Sequence, residues 1–204
     1  MFKIAVLISG GGTNLQSVID KVQSGYLNCK IEIVISDSEK AYGIERAEQN
    51  NIDALALSKK QYGDKLSDEI LKIVLKREVD LIVTAGFLSI LKGELLRNYK
   101  NRIINIHPSL IPVFCGKGMY GLNVHKAAIE YGVKVSGCTV HFVDEGTDTG
   151  PIIIQKAVPV FSSDSAESLQ KRVLEQEHIA LPEAIKLISE GKVLVDKRRV
   201  IVKN

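Results

Sequence analysis

The sequence predicts an α/β fold: an open, mostly parallel and twisted sheet with helices on both faces, to which the C-terminal half adds antiparallel strands. Three observations support this prediction. Short β-branched runs alternate with longer amphipathic runs as far as residue 106. A glycine-rich segment joins the first apolar run to the first amphipathic run, as a strand-to-helix turn would. Two long β runs then follow one another between residues 133 and 160, which indicates an antiparallel pair.

The apolar and amphipathic runs locate the elements along the chain. The strands of the parallel part are expected at 3–8, 31–36, 54–57, 81–84 and 103–106. The helices between them are expected at 14–24, 41–50, 64–78 and 90–99. The elements expected after residue 106 are a helix at 122–131, β runs at 133–143 and 152–160, and a long last helix. The segment DSAE predicts that Asp164 caps the start of that helix.

The composition is typical of a globular protein. With 45% apolar and 25% charged residues and no linker-like stretch, residues 1–204 are expected to form a single domain. The net charge of +3 is too small to indicate nucleic acid, and the basic cluster Lys197–Arg199 is expected to be a solvated tail. The N-terminal apolar run is too short to span a membrane. Three widely spaced cysteines suit a reducing compartment, so the protein is expected to be cytoplasmic.

The segment SGGGTNLQ, residues 9–16, is a candidate anion site. Glycines let the backbone turn sharply, and the free N–H groups at a helix start can bind a phosphate. The dinucleotide pattern GxGxxG fails, because Leu15 stands where the third glycine belongs. Asp37 follows the second predicted strand, where a ribose-binding carboxylate would lie, so a nicotinamide enzyme stays an alternative. The plainer interpretation is a tight turn in which Thr13 or Asn14 caps the helix.

The segment NIHPSLIP, residues 105–112, places Asn105 and His107 at the carboxyl end of the fifth predicted strand. Open parallel sheets bind their ligands beyond that end of the strands. An amide that donates N–H groups and an imidazole that exchanges a proton near neutral pH suit a reaction with a developing oxyanion. A structural histidine beside a rigid proline turn explains the segment equally well.

Carboxylates stand out at two further places. The segment VDEGTDTGP, residues 143–151, is either an acidic hairpin turn or a loop whose carboxylate orients an imidazole and raises its pKa. Glu177 falls on the apolar stripe of the last helix. It is expected to pair with a basic side chain such as Arg172 or Lys171, to bind an amine in a cleft, or to lie solvated at the edge of the stripe.

Four segments together resemble one known family. They are SGGGTNLQ at 9–16, AGFLSIL at 85–91, NIHPSLIP at 105–112 and GCTVHFVDEGTDTGPII at 137–153. They are similar, in order and over nearly the whole chain, to segments of the phosphoribosylglycinamide formyltransferases, the folate-dependent glycinamide ribonucleotide transformylases of purine synthesis. The resemblance implies transfer of a formyl group from 10-formyltetrahydrofolate to the primary amine of glycinamide ribonucleotide, without a metal. It also implies a Rossmann-like formyltransferase fold, with a nucleotide-binding half at about 1–100 and a folate-binding, catalytic half at about 101–204.

The resemblance also implies roles for individual residues. The catalytic residues that it implies are Asn105, His107 and Asp148. The ribonucleotide-binding residues that it implies are Gly12, Thr13, Asn14 and Glu177. The folate-binding residues that it implies are Leu88, Ser89, Ile90, Leu91, Asn105, Asp144, Glu145, Gly146, Thr147 and Asp148. In this scheme Asp148 keeps His107 protonated, and His107 and Asn105 stabilise the oxyanion. The implied partners are small molecules, with no nucleic acid or membrane, and the implied assembly is a monomer or homodimer.

The chain departs from the family's pattern in the loop FCGKGMYG, residues 114–121, where a shorter proline-glycine form is common. Leu174 also stands where a polar substrate contact is frequent. A methionyl-tRNA formyltransferase is expected to carry a further C-terminal domain, and a formyltetrahydrofolate deformylase a further domain before the glycine loop. The length of the chain therefore favours the ribonucleotide enzyme. The deformylase and a nucleotide-binding module without catalysis are the alternatives.

Overall fold

The protein is described over residues 1–203 by a computed structural model. The strands are β1 (Phe2–Ile8), β2 (Cys29–Ser36), β3 (Ala54–Ala56), β4 (Leu81–Thr84), β5 (Ile103–His107), β6 (Val135–Phe142), β7 (Ile152–Pro159), β8 (Val193–Asp196) and β9 (Arg199–Val202). The helices are α1 (Thr13–Gln23), α2 (Tyr42–Gln49), α3 (Lys59–Tyr62), α4 (Leu66–Lys76), α5 (Glu94–Asn98), α6 (Leu122–Tyr131) and α7 (Ala166–Ser189). The first seven strands form one sheet in the order β3-β2-β1-β4-β5-β6-β7, and β8 and β9 form another. The predicted fold class, mostly parallel with an antiparallel C-terminal addition, is confirmed.

The chain divides into two compact units, the first covering residues 1–104 and the second beginning at residue 105. In the first unit β1 pairs in parallel with both β2 and β4, and β2 pairs with β3. Residues Ile4–Ile8 of β1 are fully buried, which is typical of a parallel strand covered on both faces. The expectation of a single domain stays a prediction.

In the second unit the strands β6 and β7 form the predicted antiparallel pair, in which Thr139 lies opposite Gln155. Helix α7 packs against both strands. Its buried stripe follows the helical period, as predicted, and includes Leu169, Val173, Glu177, Ala180 and Ala184.

Three local predictions were wrong. The helix expected at 64–78 is present as α4, preceded by a 3₁₀ turn at Gly63–Lys65, whereas the helix expected at 90–99 is shortened to α5. The cap of α7 is Ser165, whose hydroxyl accepts from the Ser168 N–H, while Asp164 pairs with Arg172. The cluster Lys197–Arg199 belongs to a β8–β9 hairpin, because Lys197 adopts a φ of 54° and lets the chain turn back. Its side chains are exposed, so only the solvation was predicted correctly.

Candidate active site

The carboxyl end of β5 carries the amide and imidazole that the sequence singled out. Asn105 and His107 are two residues apart and so share one face of the strand; Asn105 is half-buried there and His107 is buried, with 4% of its surface exposed. The Nε2 atom of His107 lies 3.0 Å from the backbone oxygen of Phe114. A carbonyl oxygen can only accept, so Nε2 carries a proton and Nδ1 is the position that can gain or lose one.

Asp148 faces that second nitrogen. Its Oδ2 atom lies 3.6 Å from Nδ1 of His107, beyond hydrogen-bond distance but within reach of a charge interaction. The same oxygen accepts a hydrogen bond of 2.9 Å from the Gly116 N–H. Asp148 itself adopts a φ of 57°, a conformation that non-glycine residues rarely adopt and that often marks a functional site. The structure therefore brings the predicted residues Asn105, His107 and Asp148 into one cluster.

A second imidazole, His141 of β6, belongs to this cluster and was missed by the sequence reasoning. Its Nδ1 atom lies 2.8 Å from the Phe142 oxygen, and its Nε2 atom lies 3.2 Å from Nδ2 of Asn105 and 3.6 Å from Oδ1 of Asp148. Because Nδ1 must donate to the carbonyl, Nε2 of the neutral ring accepts from the Asn105 amide. His141 thus orients Asn105. The sequence feature that could have indicated it is the position of His141 in a predicted strand, directly before the acidic loop.

The pKa of His107 is lower than that of an ordinary histidine. Burial is the largest cause, since it disfavours the charged ring, and the nearby His141 adds to it. The negative charge of Asp148 and the Phe114 oxygen act in the opposite direction but do not outweigh burial. The direction of this shift runs against the prediction that Asp148 holds His107 protonated, although Asp148 does act to raise the pKa as predicted.

Asp148 remains a carboxylate. Burial would raise its pKa, but its neighbours His141, the Gly116 N–H and His107 together outweigh burial and keep the pKa below the ordinary value. The cluster therefore combines a neutral imidazole, a fixed negative charge and an oriented amide.

A loop from Ser109 to Gly116 presents the backbone groups that touch the two ionisable side chains. The buried Thr139 hydroxyl donates to the Ser109 oxygen at 2.6 Å and accepts from the Ile111 N–H at 3.1 Å. Gln155 donates to both the Ile111 oxygen and the Thr139 hydroxyl at 3.0 Å. This network holds the start of the loop against β6 and β7.

The acidic loop after β6 contains the residues predicted to bind folate. Asp144 accepts from the Gly146 N–H at 3.1 Å and from the Thr149 hydroxyl at 2.5 Å, so its carboxylate stabilises the loop itself. Glu145, Gly146 and Thr147 are exposed. Asp148 alone of the loop's carboxylates reaches the imidazoles.

The glycine loop of the first unit precedes α1 as predicted. The N-cap of α1 is Gly12, with a φ of 69°, and no side chain caps the helix. The interpretation in which Thr13 or Asn14 caps it was therefore wrong. Thr13 is exposed and Asn14 is buried. Because the N–H groups at the start of a helix have no acceptor within the helix, those of the glycine loop and of the first turn of α1 form the candidate anion site.

The segment 88–91 lies beside that loop. The Leu88 N–H donates to the Ser9 hydroxyl at 2.8 Å, and the Ser89 hydroxyl donates to Asp37 at 2.7 Å. Leu88 and Ile90 are 58% and 75% exposed, whereas Leu91 is buried. The exposed leucine and isoleucine provide an apolar surface next to the glycine loop, and Asp37 is engaged by a serine.

Glu177 is buried on α7, with 8% of its surface exposed. Arg172, one of its expected partners, instead makes two hydrogen bonds of 2.7 and 2.8 Å to Asp164. The interpretation as a solvated stripe edge was wrong because the side chain is buried.

Among the helices of residues 1–203, none is long and apolar enough to cross a membrane. In the same part of the chain, histidine, cysteine and acidic side chains nowhere form a group of three that could hold a metal ion.

The family described as formyl transferase matches residues 2–185. The phosphoribosylglycinamide formyltransferase of Haemophilus influenzae is 43% identical over 94% of this chain and 89% of its own length. The trifunctional purine biosynthetic protein adenosine-3 of Gallus gallus is 43% identical over 95% of this chain, but the chain spans only 19% of that protein.

Solved structures agree with these matches. The glycinamide ribonucleotide transformylase 1 of Symbiobacterium toebii superposes with a TM-score of 0.94, with 43% identity over 100% of this chain and 95% of that chain. A formyltetrahydrofolate deformylase from Pseudomonas syringae is a more distant neighbour, with 27% identity and a TM-score of 0.89, covering 100% of this chain and 66% of that chain.

Proposed function

Because the chain belongs to the formyl transferase family, we propose that it transfers the formyl group of 10-formyltetrahydrofolate to the primary amine of glycinamide ribonucleotide. The products are formylglycinamide ribonucleotide and tetrahydrofolate, and the reaction belongs to purine biosynthesis. The observation that carries the proposal is the contact of Asp148 with His107 beside the oriented amide of Asn105.

The reaction exchanges one C–N bond for another. The amine nitrogen attacks the formyl carbon, whose oxygen becomes an oxyanion. The bond from that carbon to the folate nitrogen then breaks, the amine loses one proton and the folate nitrogen gains one. Catalysis therefore needs a donor for the oxyanion and a group that carries one proton between two nitrogens.

We assign the proton transfer to His107. Its Nε2 proton is held by the Phe114 oxygen, so Nδ1 is the atom that accepts the amine proton and releases it to the folate nitrogen. The carboxylate of Asp148 lies 3.6 Å from Nδ1 and stabilises the imidazolium while it carries that proton. The amide of Asn105, oriented by His141, donates to the oxyanion.

The substrates are assigned to the predicted binding residues. Gly12, Thr13 and Asn14 would bind the ribonucleotide phosphate through backbone N–H groups at the start of α1. Glu177 would bind the glycinamide amine, which supplies a reason for a carboxylate on a buried stripe. The folate would contact 88–91, Asn105 and the 144–148 loop, where the exposed Leu88 and Ile90 provide apolar surface.

We further propose a cytoplasmic monomer or homodimer that acts on small molecules, without nucleic acid, membrane or metal. Cys29, Cys115 and Cys138 are free, which supports a reducing compartment. Light scattering on the purified protein would give the assembly.

The decisive experiment follows tetrahydrofolate formation by the purified chain, with and without glycinamide ribonucleotide. We expect release that depends on the amine, and we expect His107→Ala to lose at least about a hundredfold in kcat, the range of a general acid–base group. The matched control is Glu130→Gln on the exposed face of α6, which should keep the rate. Release that needs no amine would instead identify a deformylase, and no release in either condition would leave a nucleotide-binding module.

A further inference from the structure

The glycine loop that precedes α1 is held by the start of α2, and we propose that Arg46 of α2 is a positioning residue that fixes this loop for a phosphate monoester. The inference rests on the proposed function, since it takes the ribonucleotide phosphate as the ligand of the loop. It adds a residue that the sequence reasoning did not find.

Two residues of α2 bind successive carbonyl groups of the loop. The Gly43 N–H donates to the Gly10 oxygen at 3.0 Å. The Nε atom of Arg46 donates to the Gly11 oxygen at 2.7 Å. Its Nη1 atom reaches the side-chain oxygen of Gln16 on α1 at 3.2 Å, so the guanidinium group connects the loop to the first turn of α1.

These contacts decide where the loop's N–H groups point. In a planar trans peptide the carbonyl of one residue and the N–H of the next point in opposite directions. With the Gly10 and Gly11 oxygens turned toward α2, the N–H groups of Gly11 and Gly12 turn away from it. Two adjacent donors on the side opposite α2 are what a phosphate requires.

The contact between loop and helix is too close for side chains. A Cβ atom on Gly12 would lie 2.8 Å from the Gly43 Cα, and a Cβ on Gly43 would collide with the end of the Ile8 side chain. Gly12 also needs its φ of 69°. The loop therefore packs directly against α2. Within residues 1–203, Arg46 is the side chain of α2 that holds the loop by hydrogen bonds.

Arg46 is itself held in place. It is half-buried, and its guanidinium carbon lies 4.9 Å from the centre of the Tyr42 ring. With Nε and Nη1 engaged, the guanidinium acts through the orientation of the Gly11 peptide as well as through its charge. A lysine keeps the charge, but its single ammonium group lacks the planar pair of donors with which the guanidinium group binds the Gly11 and Gln16 oxygens.

The test compares Arg46→Met and Arg46→Lys with Arg97→Met in the chain of residues 1–204. Methionine keeps the aliphatic length and removes the charge and donors. Within residues 1–203, Arg97 is an exposed arginine of α5 whose ion pair is local, with Glu94 at 2.6 Å, so it controls for the loss of one positive charge. The dissociation constants of ribose 5-phosphate and of ribose are measured by calorimetry, together with kcat, both Michaelis constants and Tm.

We expect Arg46→Met to weaken ribose 5-phosphate and to raise the Michaelis constant of the ribonucleotide by about tenfold or more, the effect of losing a hydrogen bond to a charged group. Arg46→Lys should recover only part of this loss. The kcat, the folate Michaelis constant and the affinity for ribose should stay unchanged, as should every constant of Arg97→Met.

Unchanged phosphate affinity in Arg46→Met would overturn the inference, and so would full recovery in Arg46→Lys, which would mean that charge alone acts. The binding arm separates this inference from the proposed function. Phosphate binding that depends on Arg46 in a protein without formyl transfer would support the inference and reject the function, whereas formyl transfer with Arg46-independent binding would do the reverse.

Discussion

At the scale of single residues, the chemistry of the candidate site depends on two opposing effects on His107. Burial removes water from the ring and lowers its pKa, while the carboxylate of Asp148 favours the charged form. Burial is the larger effect, so the ring is neutral at rest and able to accept a proton. The carboxylate becomes most useful when that proton has arrived, because only then does Nδ1 of His107 bear an N–H toward Oδ2.

Removal of the Asp148 charge tests this balance. In Asp148→Asn the pKa of His107 should fall further, because the group that raises it is gone. A rate that needs neutral His107 falls as pH drops through that pKa, so the acid limb of the variant should move to lower pH. The kcat should drop by about a hundredfold or more, because the imidazolium is less stable in the transition state. The measurement is the pH profile of kcat/KM.

The control for this profile is Glu130→Gln, which removes the same charge from an exposed position on α6. Its acid limb should coincide with that of the unaltered protein. An acid limb of Asp148→Asn that stays in place, or moves to higher pH, would contradict the role given to Asp148.

Residue chemistry alone indicated Asn105 and His107 at a strand end, together with an acidic loop from which the family resemblance selected Asp148. It missed the residues that act through geometry. His141 reaches Asn105 from another strand, and Arg46 reaches Gly11 from 35 residues away along the chain. Such contacts depend on sheet register and helix placement, and a single sequence shows neither.

At the scale of elements, the start of α7 is built around Asp164 rather than capped by it. Its side chain, 5% exposed, accepts two hydrogen bonds from Arg172 and one each from the Ser168 hydroxyl and the Phe161 N–H. These donors, with Arg172 the strongest, hold the pKa of Asp164 well below its usual range. The segment DSAE predicted a helix start, but which of two adjacent polar residues caps it depends on a partner eight positions away.

Asp164→Asn should therefore destabilise the protein by about 1 kcal/mol, a typical cost for a lost hydrogen bond to a charged group after allowance for solvent. For a chain of this size the loss corresponds to a Tm lower by about 2–4 °C. The difference should shrink as pH falls below the ordinary carboxyl pKa of about 3.9, because the native carboxylate then begins to lose its advantage.

Thermal unfolding near neutral pH and in acid would measure both effects, with Glu130→Gln on the exposed face of α6 as a control for the loss of one negative charge. Equal Tm values for Asp164→Asn and the unaltered protein would show that the Arg172 pair contributes nothing measurable.

At the scale of the whole molecule, the alternation of strands and helices was enough to predict the parallel part of the sheet, since each buried strand is a short apolar run. The β8–β9 hairpin was missed because three consecutive basic residues at its turn hid the alternation on either side. Valine and leucine in β8 and valine and isoleucine in β9 flank that turn, and Lys197 takes the left-handed conformation between them. The basic residues predicted only that this segment is exposed to solvent, and the turn of a hairpin is exposed to solvent as well.

The stability of the molecule should depend on a buried histidine that the proposed chemistry does not use. His125 of α6 is 1% exposed, and among residues 1–203 its Nδ1 atom has no hydrogen-bond partner. Burial, with His107 adding to it, lowers its pKa to about 4. The unfolded chain, with a histidine pKa of about 6.5, then binds more protons than the native state between these values. Stability should therefore fall as pH drops through this window.

We expect a loss of about 1–3 kcal/mol between about pH 7 and about pH 4.5 from this group, and His107 adds a contribution of the same sign. Urea unfolding at several pH values would measure it. In His125→Gln the slope of unfolding free energy against pH should be shallower, whatever the substitution costs at neutral pH. Lys126→Met, which alters the neighbouring exposed position and titrates nothing in this range, should keep the original slope. A slope unchanged in His125→Gln would mean that His125 can be protonated in the native state without the energetic cost that its burial implies.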